Sequence, residues 1–325
     1  MYDVRMISPD GRRGSARFSA VAGNSIKYAL LGAYLIAVVY PLLWVFLTSA
    51  KTTREISDNP LGLPTMLLHP SAHGLSTITA NYRHALVGSH FYLYFLNSVF
   101  VVGISLALTM LLGSMAAYAL ARFRFRGRDL IHGLFLAGLI LPMQLILIPL
   151  FFEFSWIGNA LTAALAPPVH ALGLGELTVS LHNSHFGIIL IYVAVSLPFT
   201  VFTLTSFMST LPGELREAAL MDGASEERTF YQVMLPLAQP GLVTVAIFNF
   251  LGLWNEYLFG LVFLNGDNVK TLPLGLAAIS LQAQYKSDTG LLFAGVVIAI
   301  VPTLIVYLIL QDKLTRGITV GAVKG

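Results

Sequence analysis

The chain has 325 residues, of which 56% are hydrophobic and only 11% charged. An ordinary soluble domain carries about 25% charged residues, so the composition excludes a water-facing globule. A net charge of +3 is too small to point to nucleic acid, and the absence of cysteine excludes structural disulfides and thiolate metal sites.

Residues 1–26 are polar and basic, with Gly and Ser throughout. A secretory signal pairs a short charged start with an apolar run and a small-residue cleavage site. Here the apolar run begins only near Tyr28 and is long enough to span. The sequence therefore predicts a disordered cytoplasmic tail followed by an uncleaved helix.

Crossing about 30 Å of hydrocarbon takes about 20 apolar residues as a helix. Six stretches qualify: 28–50, 91–120, 130–152, 187–208, 240–264 and 290–310. Backbone groups in lipid must be satisfied within the segment, and no alternating ten-residue strands suggest a barrel. The expected fold is an all-α polytopic membrane protein, with a transmembrane domain over 27–313 and a cytoplasmic tail over 314–325.

Basic residues set the orientation. Arg5, Arg12, Arg13, Arg17 and Lys27 precede the first span, and Arg122, Arg124, Arg126 and Arg128 join the second to the third. Arg216 and Arg228 join the fourth to the fifth, and Lys313, Arg316 and Lys324 follow the sixth. Only Lys51, Arg54, Arg83, Lys270 and Lys286 fall on the other side. Lys and Arg accumulate in cytoplasmic loops, so both termini and the 212–236 connection are expected in the cytoplasm.

Within the spans, Pro41, Pro142, Pro149, Pro198 and Pro302 interrupt helix ladders, as kink points or as static packing. Ser105, Thr109, Gly113, Ala117 and Ala121 recur every fourth residue along the second span. Such small residues on one face predict a close helix contact without naming the partner helix. The external connection 153–186 contains no Lys or Arg and reads as an interfacial piece or a contact for an external protein. Pro167 and Pro168 argue against a further span there.

Between the fourth and fifth spans the chain turns polar: EAALMDGASEERTFYQVMLPLAQPG, residues 217–241. Pro212 suits a first helical position, with Glu214 and Glu217 near the positive end of the helix dipole. Gly223 reads as a left-handed stop. Ser225 is placed to cap a second helix with Glu226 and Glu227 in its first turn, and that helix is expected to run to Leu235 and end at Pro236. A helix–turn–helix over 212–236 follows.

Glu217, Ala218 and Ala219, three residues, Gly223, nine residues, Val233, one residue, then Leu235 and Pro236 form a spaced pattern. It resembles the EAA loop of binding-protein-dependent ABC importer permeases. The chain from about residue 26 onward resembles the carbohydrate-uptake branch, specifically the G-type permease of maltose-like systems. KTTREI (51–56), WNEYLFGLVF (254–263) and RGITVGAVKG (316–325) add to the likeness, while Val233 stands where isoleucine is usual.

The resemblance implies that the EAA helix docks in a groove of an ATP-binding subunit, whose closure rocks the spans between inward- and outward-facing states. Glu217, Ala218, Ala219, Asp222, Gly223, Leu235 and Pro236 would form the coupling element. Gly321, Ala322, Val323, Lys324 and Gly325 would reach the ATPase interface. The implied partners are a second, F-type permease subunit, two ATP-binding subunits and an extracytoplasmic solute-binding protein, in a bacterial cytoplasmic membrane. ATP and Mg would be held by the ATPase, with no cofactor on this chain. The chain's own residues agree on one point: no G-x-x-x-x-G-K-[ST] phosphate loop is present.

On the solute side, Glu256 is the one acid placed within an expected span, and a charge there should face protein or water. With Trp254, Asn255 and Tyr257 it offers ring faces and hydrogen-bonding groups suited to a sugar; the alternative is a structural bond between helices. Asn249, nearer the midplane, and Gln144, beside Pro142, are weaker candidates. His69 with His73 and His182 with His185 sit in loops without acidic company and predict no metal site. A self-sufficient secondary transporter or channel would need coupling acids at mid-membrane, and an intramembrane enzyme a nucleophile–base constellation. Neither accounts for the hairpin.

Overall fold

The computed structural model describes residues 10–68, 72–171, 178–286 and 288–322, with side chains over 24–68, 76–167, 178–285 and 288–311. Among them there is no strand. In chain order the helices are α1 (Asp10–Ser49), α2 (Thr53–Asp58), α3 (Thr65–Leu68), α4 (Ala72–Arg83), α5 (Phe91–Arg122), α6 (Arg128–Ile140), α7 (Met143–Ala171) and α8 (His185–Thr210). After these come α9 (Gly213–Met221), α10 (Glu226–Thr229), α11 (Leu235–Leu237), α12 (Gln239–Trp254), α13 (Leu258–Phe263), α14 (Leu272–Lys286) and α15 (Thr289–Ala322). Among the described residues, five helices are individually long and apolar enough to cross a bilayer. A sixth crossing is counted if the chain from Glu226 through Trp254, bent by 76° at Ala238, is taken as one.

α5 and α8 are the most extensively packed pair. They run parallel: Phe91, Val101, Ile188 and Tyr192 share one core, whereas Ala117, Tyr118, Leu204 and Met208 share a second at the opposite end. The small-residue face of α5 is the reason they approach so closely. Ser105, Thr109 and Ala117 are fully buried, and a Cβ added at Gly113 would collide with the side chain of Thr200 on α8. The partner of the stripe is therefore the fourth span. Replacing Gly113 with valine is expected to cost about 1–3 kcal/mol by overpacking, read as a lowered unfolding midpoint in detergent.

Because α5 and α8 start at the same end, the chain between them must cross back once. The expected single helix over 130–152 is in fact two. Leu141 leaves the helical region at φ −70°, ψ 121°, as a residue before proline prefers, and α7 begins at Met143. α6, at 13 residues, is too short to cross alone. α7 then runs 29 residues to Ala171, through Pro167 and Pro168. The proline pair that reads as a breaker lies near the carboxyl end of a helix that already began in the span.

The fifth span is also broken. The sequence predicts one helix over 240–264, but α12 stops at Trp254 and α13 starts at Leu258, with Asn255, Glu256 and Tyr257 between them. The ends of the chain are more helical than expected. α1 starts at Asp10, inside the predicted tail, and α15 reaches Ala322, inside the predicted carboxyl tail.

KTTREI forms a compact corner after α1. Thr52 and Glu55 cap α2 reciprocally, and the buried Lys51 donates its Nζ to the carbonyls of Asn59 and Pro60 at 3.0 and 3.4 Å. Asn81 donates to the carbonyls of Ser49 and Lys51, tying α4 to that corner. This motif stabilises a connection; its carboxylate is used up in caps.

Candidate functional site

The 212–236 segment builds as a hairpin with one free arm and one anchored arm. Pro212 sits just before the first turn of α9 as its N-cap, one position earlier than expected. α9 ends in a Schellman closure: Gly223 has φ +82°, its N–H donates to the Leu220 carbonyl, and Ala224 N–H donates to that of Ala219, both at 3.0 Å. Ser225 then caps α10, its hydroxyl accepting from the Arg228 N–H at 3.2 Å.

Beyond α10 the helix does not run evenly to Leu235. A π-helical turn spans Phe230–Met234, and Pro236 lies inside α11 and does not terminate the arm. The direction changes at Ala238, where α12 departs. Phe230 and Met234, four residues apart, share the inward face of this arm. Phe230, Met234 and Ala238 are buried against Tyr118 and Ala117 of α5, Leu204 and Met208 of α8, and Val245 of α12. Burying a large apolar side chain contributes about 1.5–3 kcal/mol, so this arm moves only with the three spans it touches.

The free arm is open. Glu217, Ala218, Asp222 and Gly223 are exposed, Ala219 is half-buried, and Met221 projects from the tip with 88% of its surface uncovered. Of the other residues expected to couple, Leu235 is half-buried and Pro236 exposed. Two alanines beside an acid leave a shallow face that a partner can approach closely.

The two arms are joined by a polar link that the sequence did not disclose. Glu226 accepts from the Tyr118 hydroxyl at 3.1 Å and from Arg216 Nε at 3.2 Å, with a further ion pair between Arg216 Nη2 and its other oxygen. The Arg216 guanidinium also lies 5.4 Å from the centre of the Phe123 ring. Close by, Arg122 Nη2 donates to the carbonyls of Met208 and Leu211 at 2.8 Å, binding the end of α5 to the end of α8. Residues 216 and 226 lie on different helices across a turn, and Tyr118 lies about a hundred positions away, so no local spacing rule pairs them.

The solute-side candidates are mostly committed to the fold. Glu256 accepts from the Tyr192 hydroxyl at 2.8 Å and from the N–H groups of Phe259 and Gly260 at 2.7 and 3.2 Å. Its carboxylate thus caps α13 and holds the broken span to α8. Asn249 donates to Thr200 at 2.8 Å, and Trp254 donates to the Ala299 carbonyl at 3.2 Å while stacking on Phe250. Tyr257 is half-buried against the larger core. Asn255 is the exposed member of the group, its amide donating to the Leu251 carbonyl at 2.8 Å. An apolar cavity of about 510 Å³ lies between α6, α7 and α8, walled by side chains such as Leu141, Ile146, Phe154 and Pro198. It offers no side-chain hydrogen-bonding group and is a poor match for a hydroxyl-rich solute. Gly321 and Ala322 end α15, and Val323, Lys324 and Gly325 lie outside the described residues.

The family model described as binding-protein-dependent transport system inner membrane component matches residues 109–320, from the middle of α5 through the hairpin to the last turns of α15. The chain belongs to this family. Within it, the permease is 43% identical to the diacetylchitobiose uptake system permease protein NgcG of Streptomyces coelicolor, over 91% of this chain and 88% of that one. It is 32% identical to the trehalose transport system permease protein SugB of Mycobacterium tuberculosis, over 97% of this chain and all of the other. Its fold matches a chain in the crystal structure of a bacterial ABC transporter for import of the acidic polysaccharide alginate. There the TM-score is 0.71 at 20% identity, covering 95% of this chain and 99% of that one. The permease is a multi-pass transport component and not an enzyme.

Proposed function

We propose that this permease carries a carbohydrate, a di- or oligosaccharide, across a bacterial cytoplasmic membrane by alternating access. ATP is hydrolysed by two separate ATP-binding subunits, and the path is completed by a second permease subunit of F type. A solute-binding protein delivers the sugar from outside. The observation that carries this reading is the asymmetric hairpin: exposed Glu217 and Ala218 beside half-buried Ala219 on one arm, and a second arm buried among α5, α8 and α12. A push on the free arm is transmitted as a rigid tilt of three spans, because packed interiors yield little to compression. Relatives named for diacetylchitobiose and trehalose transport support the carbohydrate class.

The chain has no cysteine, so single-cysteine mapping is clean. Ala218→Cys in the assembled transporter is expected to crosslink to the ATP-binding subunit, in a yield that changes when ATP is trapped. The purified permease alone is expected to hydrolyse no ATP. Accumulation of sugar by the permease alone in sealed vesicles would overturn the reading in favour of a self-sufficient transporter.

A further inference from the structure

On the arginine-rich end of the bundle, the end of α5, the α5–α6 connection, the start of α6 and α9 line a polar pocket of about 360 Å³ next to the free arm of the hairpin. Arg122, Arg124, Arg128 and Arg216 line it, with Glu217 as the one acid in its wall. Two of these cations are matched by acids. Arg216 is held by Glu226, and Arg128 Nη1 lies 3.3 Å from Asp129. Arg122 is bonded to two carbonyl oxygens, which orient the guanidinium without neutralising it, and its buried Nε has no partner. Arg124 is exposed and makes no hydrogen bond or ion pair among the described residues. Arg122 and Arg124 are therefore the two arginines with no acid bonded to them, set against Glu217 alone in the wall.

What adjoins the pocket decides which anion fits. Arg128 Nε donates to the Leu120 carbonyl at 2.7 Å, fixing the first turn of α6 against the last turn of α5. From that turn α6 presents an uncovered apolar face: Leu130 is 68% and Leu134 64% exposed, with Ile131 at 41%. A basic recess, with an exposed apolar strip on the helix whose first residue lines it, matches one molecule with a phosphate at one end and acyl chains at the other. Basic pockets between spans on the cytoplasmic side suit such headgroups.

We propose that this pocket is a binding site for the phosphate of an anionic phospholipid, whose chains lie along Leu130, Ile131 and Leu134. The bound lipid sits against α9, so its presence fills the space behind Glu217 and fixes the tilt of the free arm. Anionic lipid is thereby a structural part of the coupling element.

The test uses the assembled transporter in nanodiscs of phosphatidylcholine mixed with phosphatidylglycerol, with retained lipid counted by native mass spectrometry. Arg124→Gln is expected to lower retained phosphatidylglycerol about fivefold, in line with roughly 1 kcal/mol per basic residue at an anionic surface. Arg126→Gln removes the same charge from the same connection, outside the pocket wall, and is expected to leave retention unchanged. Equal loss in both variants would mean diffuse surface attraction and would overturn the site. Arg124-dependent stabilisation by excess inorganic phosphate in pure phosphatidylcholine discs, with no phosphatidylglycerol retained in mixed discs, would assign the pocket to a free anion. Unaltered lipid retention with weakened subunit association in Arg124→Gln would assign it to a neighbouring protein. Either result overturns the lipid proposal. Unchanged unfolding midpoints for both variants exclude a folding defect.

Discussion

Replacing Gly223 with valine is expected to lower uptake by the assembled transporter about tenfold or more, while the permease still inserts and its core stays intact. Gly223 closes α9 at φ +82°, a region that a β-branched residue enters only with strain. No atom other than its chain neighbours stands within 4 Å of the position of an added Cβ. The penalty is therefore backbone strain alone, about 1–3 kcal/mol, and each 1.4 kcal/mol is tenfold in the population of the correct turn. Gly223→Asn provides the control, since asparagine visits this conformation readily, and it is expected to retain most uptake. If valine and asparagine behave alike, and both like the parent, the turn geometry is not what couples the hairpin. Sugar uptake and ATP hydrolysis, measured together in proteoliposomes, separate uncoupling from failed assembly.

A second large effect is expected at the link between the arms. Glu226→Ala strips Arg216 and Tyr118 of their common acceptor. The side chains of Arg216 and Glu226 are 22% and 39% exposed, so solvent screens the pair, and the whole link contributes about 1–2 kcal/mol. That is small beside the packing of the anchored arm, where Phe230→Ala is expected to cost about 3–5 kcal/mol and to compromise folding. The two sites therefore separate in function. Glu226→Ala should fold and assemble, yet transport fewer sugars per ATP by about fivefold, because the free arm no longer follows the anchored one. Tyr118→Phe should be milder, and combining it with Glu226→Ala should add little, since both remove the same bond. Full additivity would show that Tyr118 and Glu226 act separately.

Much of this architecture was legible because its causes are local. Apolar runs long enough for a bilayer, the left-handed stop at Gly223 and the cap at Ser225 each depend on a few adjacent residues. The errors arose where a local rule met a longer-range demand. Pro236 reads as a helix end, but the π turn before it hands directly over to α11, and the arm continues to Ala238. Glu256 reads as a buried charge in a smooth span. The span is unwound there, and the free N–H groups of α13 and the Tyr192 hydroxyl take up the carboxylate.

Composition, span length and the bias of Lys and Arg by themselves determined a multi-pass helical protein, and the spaced EAA pattern marked the hairpin proposed to receive force. They could do so because hydrophobic transfer and turn geometry are properties of short segments. Only the tertiary structure decided that the small-residue stripe of α5 meets Thr200 on α8, that Glu226 joins Arg216 to Tyr118, and that arginines from separate connections converge on one pocket. Those pairings are set by which helices lie side by side, and the packing that places them there is shared among residues far apart in the chain.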